Sequence, residues 1–358
     1  MARFAGWMVG LWIGLAPVSA SAQAPAPTAA EVKSWSSVQY MDHLVTIARR
    51  TASSVVALAD NLPMTDDPAQ IQAFLQRGAE VIHSGRAASA AVPPYKGDAT
   101  LRDALVSFYD TVLMEILHAS KQLVETVFQP RVTDATYSEA EALVRRIDDI
   151  EAKALTTLES AQQDFAKAHR IRLVDPGPGP QPQPVPTFSA PGVPPDGSAL
   201  DANLHMLLTV TYHNQVVAHQ ERIVGAWDGL MQATAGDDAG VEPARLKALE
   251  QVRTARAAAA AEEAWRGDAG AREAVVELGD TMLVLLDGPA AEYAAIRAKG
   301  LTTRKRVDLA NAAAGRAEQG AHDAINRFVS GVEAFQNRHQ LGAYNAWMVQ
   351  QMGAVAPE

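Results

Sequence analysis

The chain has 358 residues, a formal net charge of −10 and no cysteine. Its length corresponds to about two domains, and its balance of 48% hydrophobic and 20% charged residues is that of an ordinary globular protein. The acidic charge, without a basic block, argues against a nucleic-acid partner. The absence of thiols excludes disulfides, cysteine catalysis, thiolate metal sites and a lipid attached to an N-terminal cysteine.

The N-terminus, residues 1–22, has the pattern of a signal peptide. Arg3 precedes an apolar run over residues 4–18, and a triplet of small residues ends at Ala22. We expect cleavage after Ala22, because cleavage two residues later would leave Pro25 at the new N-terminus. The apolar run is short for a bilayer, and no later segment reaches the ~18 apolar residues of a membrane helix. The sequence therefore predicts a periplasmic or secreted protein without a membrane span.

Composition divides the remainder of the chain into five segments. A break with nine prolines cannot form a helix or a central strand, and it separates two long segments of similar character. The predicted segments are a spacer at 23–30, a first helical copy at 31–173, a Pro-rich linker at 174–199, a second copy at 200–341 and a C-terminal tail at 342–358.

A short motif occurs once in each of the two long segments. Residues 97–104 read Gly-Asp-Ala-Thr-Leu-Arg-Asp-Ala, and residues 267–274 read Gly-Asp-Ala-Gly-Ala-Arg-Glu-Ala. Other landmarks recur in the same order: a shift of 170 aligns Phe165 with Phe335 and His169 with His339, and a shift of 172 aligns Tyr40 with Tyr212 and Asp42 with Asn214. The pattern predicts a duplicated module of about 150 residues.

Both copies have the hydrophobic periodicity of helices. Apolar residues recur at steps of three and four over 101–123 and 143–165, and alternating strand patterns are nearly absent. Turn residues divide each copy into four segments, at 30–60, 69–91, 99–129 and 135–172 and at 200–235, 242–265, 270–299 and 303–340. Since short connections favour antiparallel neighbours, the sequence predicts an all-α protein of two tandem up-down four-helix bundles joined by the Pro-rich linker.

The repeated motif is typical of a helix start. Asp98 and Asp268 have the residue type of an N-cap for the third helix, and Gly97 and Gly267 permit a sharp entry to it. We expect the neighbouring aromatic residues, Tyr95 and Trp265, to cover one end of each bundle. We expect His169 and His339 to end the fourth helices, where a histidine interacts well with the helix dipole.

Glu115 and His118 are the candidates for a metal or cofactor site. They form a Glu-x-x-His motif, as do Glu80 and His83, and two such motifs occur in di-iron helical bundles. A helical wheel places Glu80 and His83 towards water, Glu115 inside the apolar stripe and His118 at its edge. The motifs lie on consecutive helices, whereas the di-iron family uses alternate ones, so no resident cofactor is predicted and the metal site stays an alternative.

Histidines and tyrosines on the first helices give two further candidates. The spacings between His205, His213 and His219 are eight and six residues, which do not form a chelating face, so we expect partly exposed helix histidines. Tyr40 and Tyr212 are either core aromatics with bonded hydroxyls or, because they recur, contacts for a ligand. Their neighbours Asp42 and Asn214 would then belong to the same ligand site.

The motifs Pro-Tyr-x-Gly-Asp at 94–98 and Ala-Gln-x-x-x-Phe-Ala-x-x-His at 161–169 give the chain a resemblance to a family. With the leader and the two helical copies, it resembles bacterial exported or surface helical proteins of unknown function, of the kind of the Leptospira surface-protein family. The resemblance implies an all-helical exported protein and carries no catalytic residues. The lack of a cysteine departs from lipid-anchored members.

Together these features predict an exported, non-enzymatic helical protein that is a binding or structural module of the cell envelope. Neither a Gly-x-Ser-x-Gly motif nor a Gly-rich loop between a strand and a helix is present. The expected partner is a protein, an envelope component or a small ligand. The alternative is a helical-bundle metal or cofactor protein using Glu115 and His118.

Overall fold

A computed structural model describes residues 26–60, 68–173, 198, 200, 202–236 and 238–346. The predicted signal peptide with its cleavage site, most of the Pro-rich linker and the end of the tail lie outside these residues. The prediction of an all-α protein is confirmed, because the described residues form helices and turns and no strand. Among them, no helix is both long enough and apolar enough to cross a bilayer.

The first half has a short opening helix and then four helical segments, of which the third is interrupted. Its elements are α1 (Ala29–Ser34), α2 (Ser37–Asp60), α3 (Pro68–Ala90), α4 (Thr100–Thr111), a π-helical turn (Val112–Ile116), α5 (Leu117–Val127) and α6 (Asp134–Ala168). Thr28 caps α1 in a capping box with Glu31, and Thr133 caps α6 with Thr136.

The second half repeats this order. Its elements are α7 (Ala202–Thr234), α8 (Val241–Ala260), α9 (Gly270–Asp287), α10 (Pro289–Arg297) and α11 (Arg304–Arg338). Thr303 caps α11 at the position that corresponds to Thr133, at the same shift of 170 residues. A short helical stretch follows at residues 341–346, and its Leu341 and Tyr344 are buried in the core.

The third segment of each half is not one continuous helix, although the sequence pattern predicted one. In the first half, the π-helical turn inserts an extra residue into the helical repeat. In the second half the helix breaks at Gly288, and Pro289 starts α10, because proline lacks the N–H that would continue the ladder. Both interruptions lie near the same place in the repeat.

Helices pack mainly on their neighbours in the chain. In the first half, α2 packs on α3, α3 on α4, and α4 on α6. In the second half, α7 packs on α8, α8 on α9, and α9 on α11. The third segment of the second half, α9, also lies along α7. Among the described helices, α2 and α6 are not closely packed along their lengths, and neither are α7 and α11. They meet at one end, where Tyr40 contacts Phe165 and Tyr212 contacts Phe335.

The hydrophobic core does not follow the division of the sequence. One large cluster of buried side chains fills the second half and also includes Val127, Val132, Tyr137 and Ala140 from the first half. The remainder of the first half has two clusters, a larger one that contains Phe165 and a small one. The start of α6 therefore completes the interior of the second half.

Candidate functional site

The repeated landmarks of the sequence come together at one end of each half, and each group begins with the same tight turn. In the first half, Tyr95 and Asp98 exchange two backbone hydrogen bonds of 2.9 Å. The two central residues, Lys96 and Gly97, have φ angles of +51° and +87°. Positive φ at both central positions is the geometry of a type I′ turn, in which glycine is favoured at the second. Residues 265–268 repeat this turn.

The aspartate that ends the turn starts the third helix. The Thr100 backbone N–H donates to Asp98 Oδ1 at 2.9 Å, and the Gly270 N–H donates to Asp268 Oδ1 at 2.8 Å. The predicted bonds are therefore present, but the cap position itself is the following alanine in each copy. The motif arginine also has a structural partner, since Arg102 donates to the Val92 carbonyl.

The second oxygen of each aspartate binds the histidine that ends the fourth helix. His169 Nε2 lies 2.7 Å from Asp98 Oδ2, and His339 Nε2 lies 3.1 Å from Asp268 Oδ2. The pKa of Asp98 is lowered, although burial alone would raise it, because the Thr100 N–H and His169 stabilise its charged form. Both histidines thus tie the end of the last helix to the start of the third, a partner that the helix-dipole interpretation had not identified.

Aromatic rings fill the space beneath the turn in both halves. In the first half, Tyr40 lies 5.4 Å from Tyr95 and 5.5 Å from Phe165, measured between ring centroids. In the second half, Tyr212 stacks on Trp265 at 5.1 Å and lies 6.0 Å from Phe335. Rings at such distances and tilts stabilise beyond their buried area. The expectation that Tyr95 and Trp265 cover an end of the core is confirmed, since both are buried.

The two ends differ in how their polar groups are bonded. The Tyr212 hydroxyl donates to the Glu263 carbonyl at 2.7 Å, whereas the buried Tyr40 hydroxyl has no hydrogen-bond partner among the described residues. Burial raises the pKa of both tyrosines to about 12, so both stay neutral. Asp268 also binds Arg338 through two hydrogen bonds, of 2.8 and 2.9 Å.

The ends also differ in what covers them. In the first half, Trp35, which follows α1, packs on His43 with ring centroids 5.0 Å apart. In the second half, the cover comes from the first half, whose Tyr137 meets Trp265 edge-on at 5.7 Å. The recurring residues therefore build the end of each half, and the cover distinguishes the two halves.

Of the four predicted ligand-contact residues, the structure brings only the tyrosines into these clusters. Tyr40 and Tyr212 are fully buried, while Asp42 and Asn214 are exposed on the same helices. The Asn214 side chain interacts with neighbouring His213 at 3.2 Å. The recurrence of an Asp or Asn at this position does not place a polar group beside the tyrosine ring.

Glu115 and His118, the candidate metal ligands, are both exposed. The helical-wheel prediction that Glu115 lies in the apolar stripe is wrong, because Glu115 belongs to the π-helical turn and the extra residue rotates it out of the stripe. Glu80 and His83 are exposed, as the wheel predicted. Within the described ranges, no three His, Asp or Glu side chains come together in a way that could hold a metal ion.

The prediction that His205, His213 and His219 are partly exposed is wrong, because all three are buried. Each has its own partner: His205 Nδ1 lies 3.1 Å from the Tyr137 hydroxyl, His213 Nε2 3.1 Å from Gln336 Nε2, and His219 Nε2 3.2 Å from Glu262 Oε1. Burial lowers the pKa of His213, and that of His205 to about 4. The histidines therefore belong to the polar interior of the second half.

Two buried or paired groups in the first half were not predicted from the sequence. Glu151 is buried on α6, and burial together with the nearby Asp148 raises its pKa to about 7. It lies four residues after Ile147, so its position within the apolar stripe was the available signal. Arg86 forms an ion pair with Asp110, and Arg256 pairs with Asp280 at the same 170-residue shift.

The repeated Asp–His pairs have the residue types of a catalytic dyad but are used by the fold. Asp98 and Asp268 already accept bonds from a backbone N–H and a histidine, which positions the turn against the last helix. No family model, no curated protein and no solved structure matches this chain.

Proposed function

We propose that the protein is an exported, non-enzymatic binding or structural module of the cell envelope, built as two tandem up-down four-helix bundles joined by the Pro-rich linker. Its partner is a protein, an envelope component or a small ligand. The resemblance of residues 94–98 and 161–169 to exported helical proteins supports this class of protein. The resemblance does not indicate a ligand.

The observation that carries the proposal is that the recurring polar residues bind one another and the backbone. Asp98 and His169 bind each other, as do Asp268 and His339, and their remaining bonds go to backbone N–H groups or to Arg338. A duplication that retains such residues to close the ends of two helical units supports a scaffold. Exposed side chains, which vary between the halves, are then available for a partner.

Export is tested by expressing the full chain from its own Met1 in a Gram-negative bacterium. We expect the protein in the periplasm or the medium, with Gln23 as the first residue by mass spectrometry, because cleavage after Ala22 removes the leader. A Leu11→Arg variant is the matched control, since a charge in the apolar run blocks signal-peptide function. Cytoplasmic native protein that retains the leader would contradict export.

Binding is tested with a photo-crosslinking amino acid at two exposed apolar positions. Met114 and Val284 correspond at the 170-residue shift and are 75% and 69% exposed. We expect crosslinks in intact cells to the same envelope component from at least one of them, and none from Glu159, an exposed control on α6. Turnover of substrates by the purified mature chain in a broad hydrolase screen would overturn the non-enzymatic assignment.

A further inference from the structure

The contact between the two halves is built from specific polar and aromatic groups. Tyr137, at the start of α6 in the first half, is 0% exposed and lies against Trp265 of the second half. Its hydroxyl is 3.1 Å from His205 Nδ1 and 3.1 Å from the Ser198 hydroxyl. The Arg266 guanidinium lies 4.3 Å from the centre of the Tyr137 ring, in a cation–π arrangement. We call this contact, together with the loop before α6 (residues 128–133) and the groups that the loop binds, the joint.

A second set of bonds fixes the loop before α6 to the second half. The Val132 N–H donates to Gln215 Oε1 at 2.9 Å, and Arg131 pairs with Glu262 at 3.1 Å. Glu262 is buried and also binds Gln215 and His219. In addition, the Arg266 backbone N–H donates to Asp134 Oδ1 at 2.7 Å. The joint therefore fixes both the position and the direction of α6 on the second half.

The joint occurs once, although the chain is duplicated. The positions that correspond to Tyr137 and Glu262 in the other copy are Val307 and Val92, and that of His205 is Lys33. These side chains cannot repeat the hydrogen bonds. The joint thus belongs to the relation between the two halves and not to the repeated unit.

His205 lies where the surroundings disfavour a positive charge on its imidazole. It is 6% exposed, and the groups that face it are Tyr137 from α6, Arg266 from the turn before α9, and His339 after α11. Burial, His339 and Arg266 all oppose its protonation and lower its pKa to about 4. Its one polar contact across the joint is with the neutral Tyr137 hydroxyl, which provides no compensating negative charge.

We propose that the joint is an acid-sensitive hinge, in which protonation of His205 raises the fraction of molecules whose α6 start is released from the second half, while the helices of each half remain folded. Release exposes His205 to water, where a charged imidazole is solvated. Acid therefore favours the open arrangement, and neutral solution favours the closed one.

Proton linkage gives the size of the effect. With a pKa of about 4 in the closed joint and an ordinary value of about 6.5 in the open one, the open-to-closed ratio rises about 20-fold between pH 7 and pH 5. The dependence begins near pH 6.5 and levels off below about pH 4. Asp134, Glu262, His219 and His339 also lie at or beside the joint, so the experiment must separate His205 from them.

The test uses the full mature chain and distances between two spin labels. The chain has no cysteine, so Glu159→Cys on α6 and Glu318→Cys on α11, both exposed, give unique labelling sites in the two halves. We expect the distance distribution to broaden and lengthen reversibly from pH 7 to pH 5, while far-ultraviolet circular dichroism shows unchanged helix content. A distance that does not change over this range would overturn the proposal, as would a simultaneous loss of helix.

His205→Asn identifies the group responsible, because the Asn side chain offers both an acceptor and a donor to the Tyr137 hydroxyl but does not titrate. We expect this variant to lose most of the pH response. His213→Gln is the matched control, because His213 is buried and bonded to Gln336 within the second half and should leave the response intact. An undiminished response in His205→Asn would overturn the role of His205.

If His205→Asn does not fold, the native chain decides the question. Histidine NMR then gives the pH at which His205 titrates, and the midpoint of the distance change must follow from it by linkage. A His205 that titrates near its ordinary value in the closed state would refute the mechanism.

Discussion

The two halves share their helix order but have differently built interiors. The second half has one continuous core, whereas that of the first half is divided into a large cluster and a small one of Ile71, Leu75, Leu117 and Val124. Among the described residues, the first half buries the Tyr40 hydroxyl without a hydrogen-bond partner, and the buried Tyr109 hydroxyl interacts with the neighbouring side chains of Thr51 and Ser89. An unpaired buried polar group costs about 1–3 kcal/mol, a cost that the Tyr40 hydroxyl brings to the first half and His219 Nδ1 brings to the second.

Part of the difference lies where α2, α3 and α4 meet. The first half has hydroxyl side chains at this place and the second half has apolar or small residues; the corresponding pairs are Thr51 and Ile223, Ser89 and Ala259, and Tyr109 and Gly279. In the first half Thr51 packs directly on Gly85, where a side chain would clash. The two halves therefore share the residues at their ends but differ in the chemistry of their interiors.

Removing the central aromatic ring of each half has the largest expected effect. Phe165 and Phe335 are both 0% exposed, so either change to Ala should destabilise its half by roughly 3–5 kcal/mol. For Phe165→Ala, hydrogen exchange by mass spectrometry should show a loss of protection that is confined to the first half. For Phe335→Ala, the loss of protection should extend from the second half into residues 127–140, because these residues share the core of the second half. Equal deprotection of both halves by each variant would contradict separate cores.

The buried carboxyl of Glu151 gives the first half a pH dependence of its own. Its pKa is raised to about 7 in the folded state, so its contribution to stability is present below about pH 4.5 and is lost as the pH rises through 7. Glu151→Ala, which introduces the residue found at Ala321, should stabilise the first half at pH 8 by about 1–2 kcal/mol, a figure reduced for solvent screening. Urea unfolding followed by hydrogen exchange measures it.

The effect of Glu151→Ala should vanish near pH 4.5, and exposed Glu159→Ala is its control.

The stability of the second half should have the opposite dependence on pH, because burial lowers the pKa of His213. Neutral His213 is favoured in the fold, so its contribution is present above about pH 6.5 and is lost as the pH falls. Identical pH profiles for the two halves would remove this contrast.

The two equivalent tyrosines provide a smaller and closely matched test. Tyr212→Phe removes the bond to the Glu263 carbonyl and should cost about 1 kcal/mol in the free energy of unfolding. Tyr40→Phe removes a buried hydroxyl without a partner among the described residues, so it should be neutral or slightly stabilising. Denaturant unfolding of both variants measures the difference. A loss of 1 kcal/mol or more in Tyr40→Phe would show that its hydroxyl is bonded in solution.

The repeated ion pair should give the smallest effect and the least difference between the halves. The Arg86–Asp110 and Arg256–Asp280 pairs are partly exposed, and such pairs contribute about 0–1 kcal/mol. Arg86→Ala and Arg256→Ala should each reduce stability by less than 1 kcal/mol, and salt should reduce the effect further. A large loss in one half alone would show that the pair has a role there beyond the surface.

The sequence by itself determined the helices and the plan of the chain. Hydrophobic steps of three and four depend only on the period of an α-helix, while Gly and Pro end helices and Asp begins them through local backbone geometry. For this reason the helical segments, the tight turn before α4 and the use of Asp98 at a helix start could be predicted. The repeat fixed the order of both halves without any knowledge of their packing.

Only the tertiary structure decided which distant side chains are bonded. His169 and Asp98 are 71 residues apart, and Tyr137 and His205 are 68 residues apart, so no local pattern connects them. The wheel failed at Glu115 because it assumes a constant turn per residue, which the π-helical turn breaks. Burial of His205, His213 and His219 depends on partners from other helices. Local backbone preferences are readable from neighbouring residues, whereas the pairing of buried polar groups is settled only when the whole chain packs.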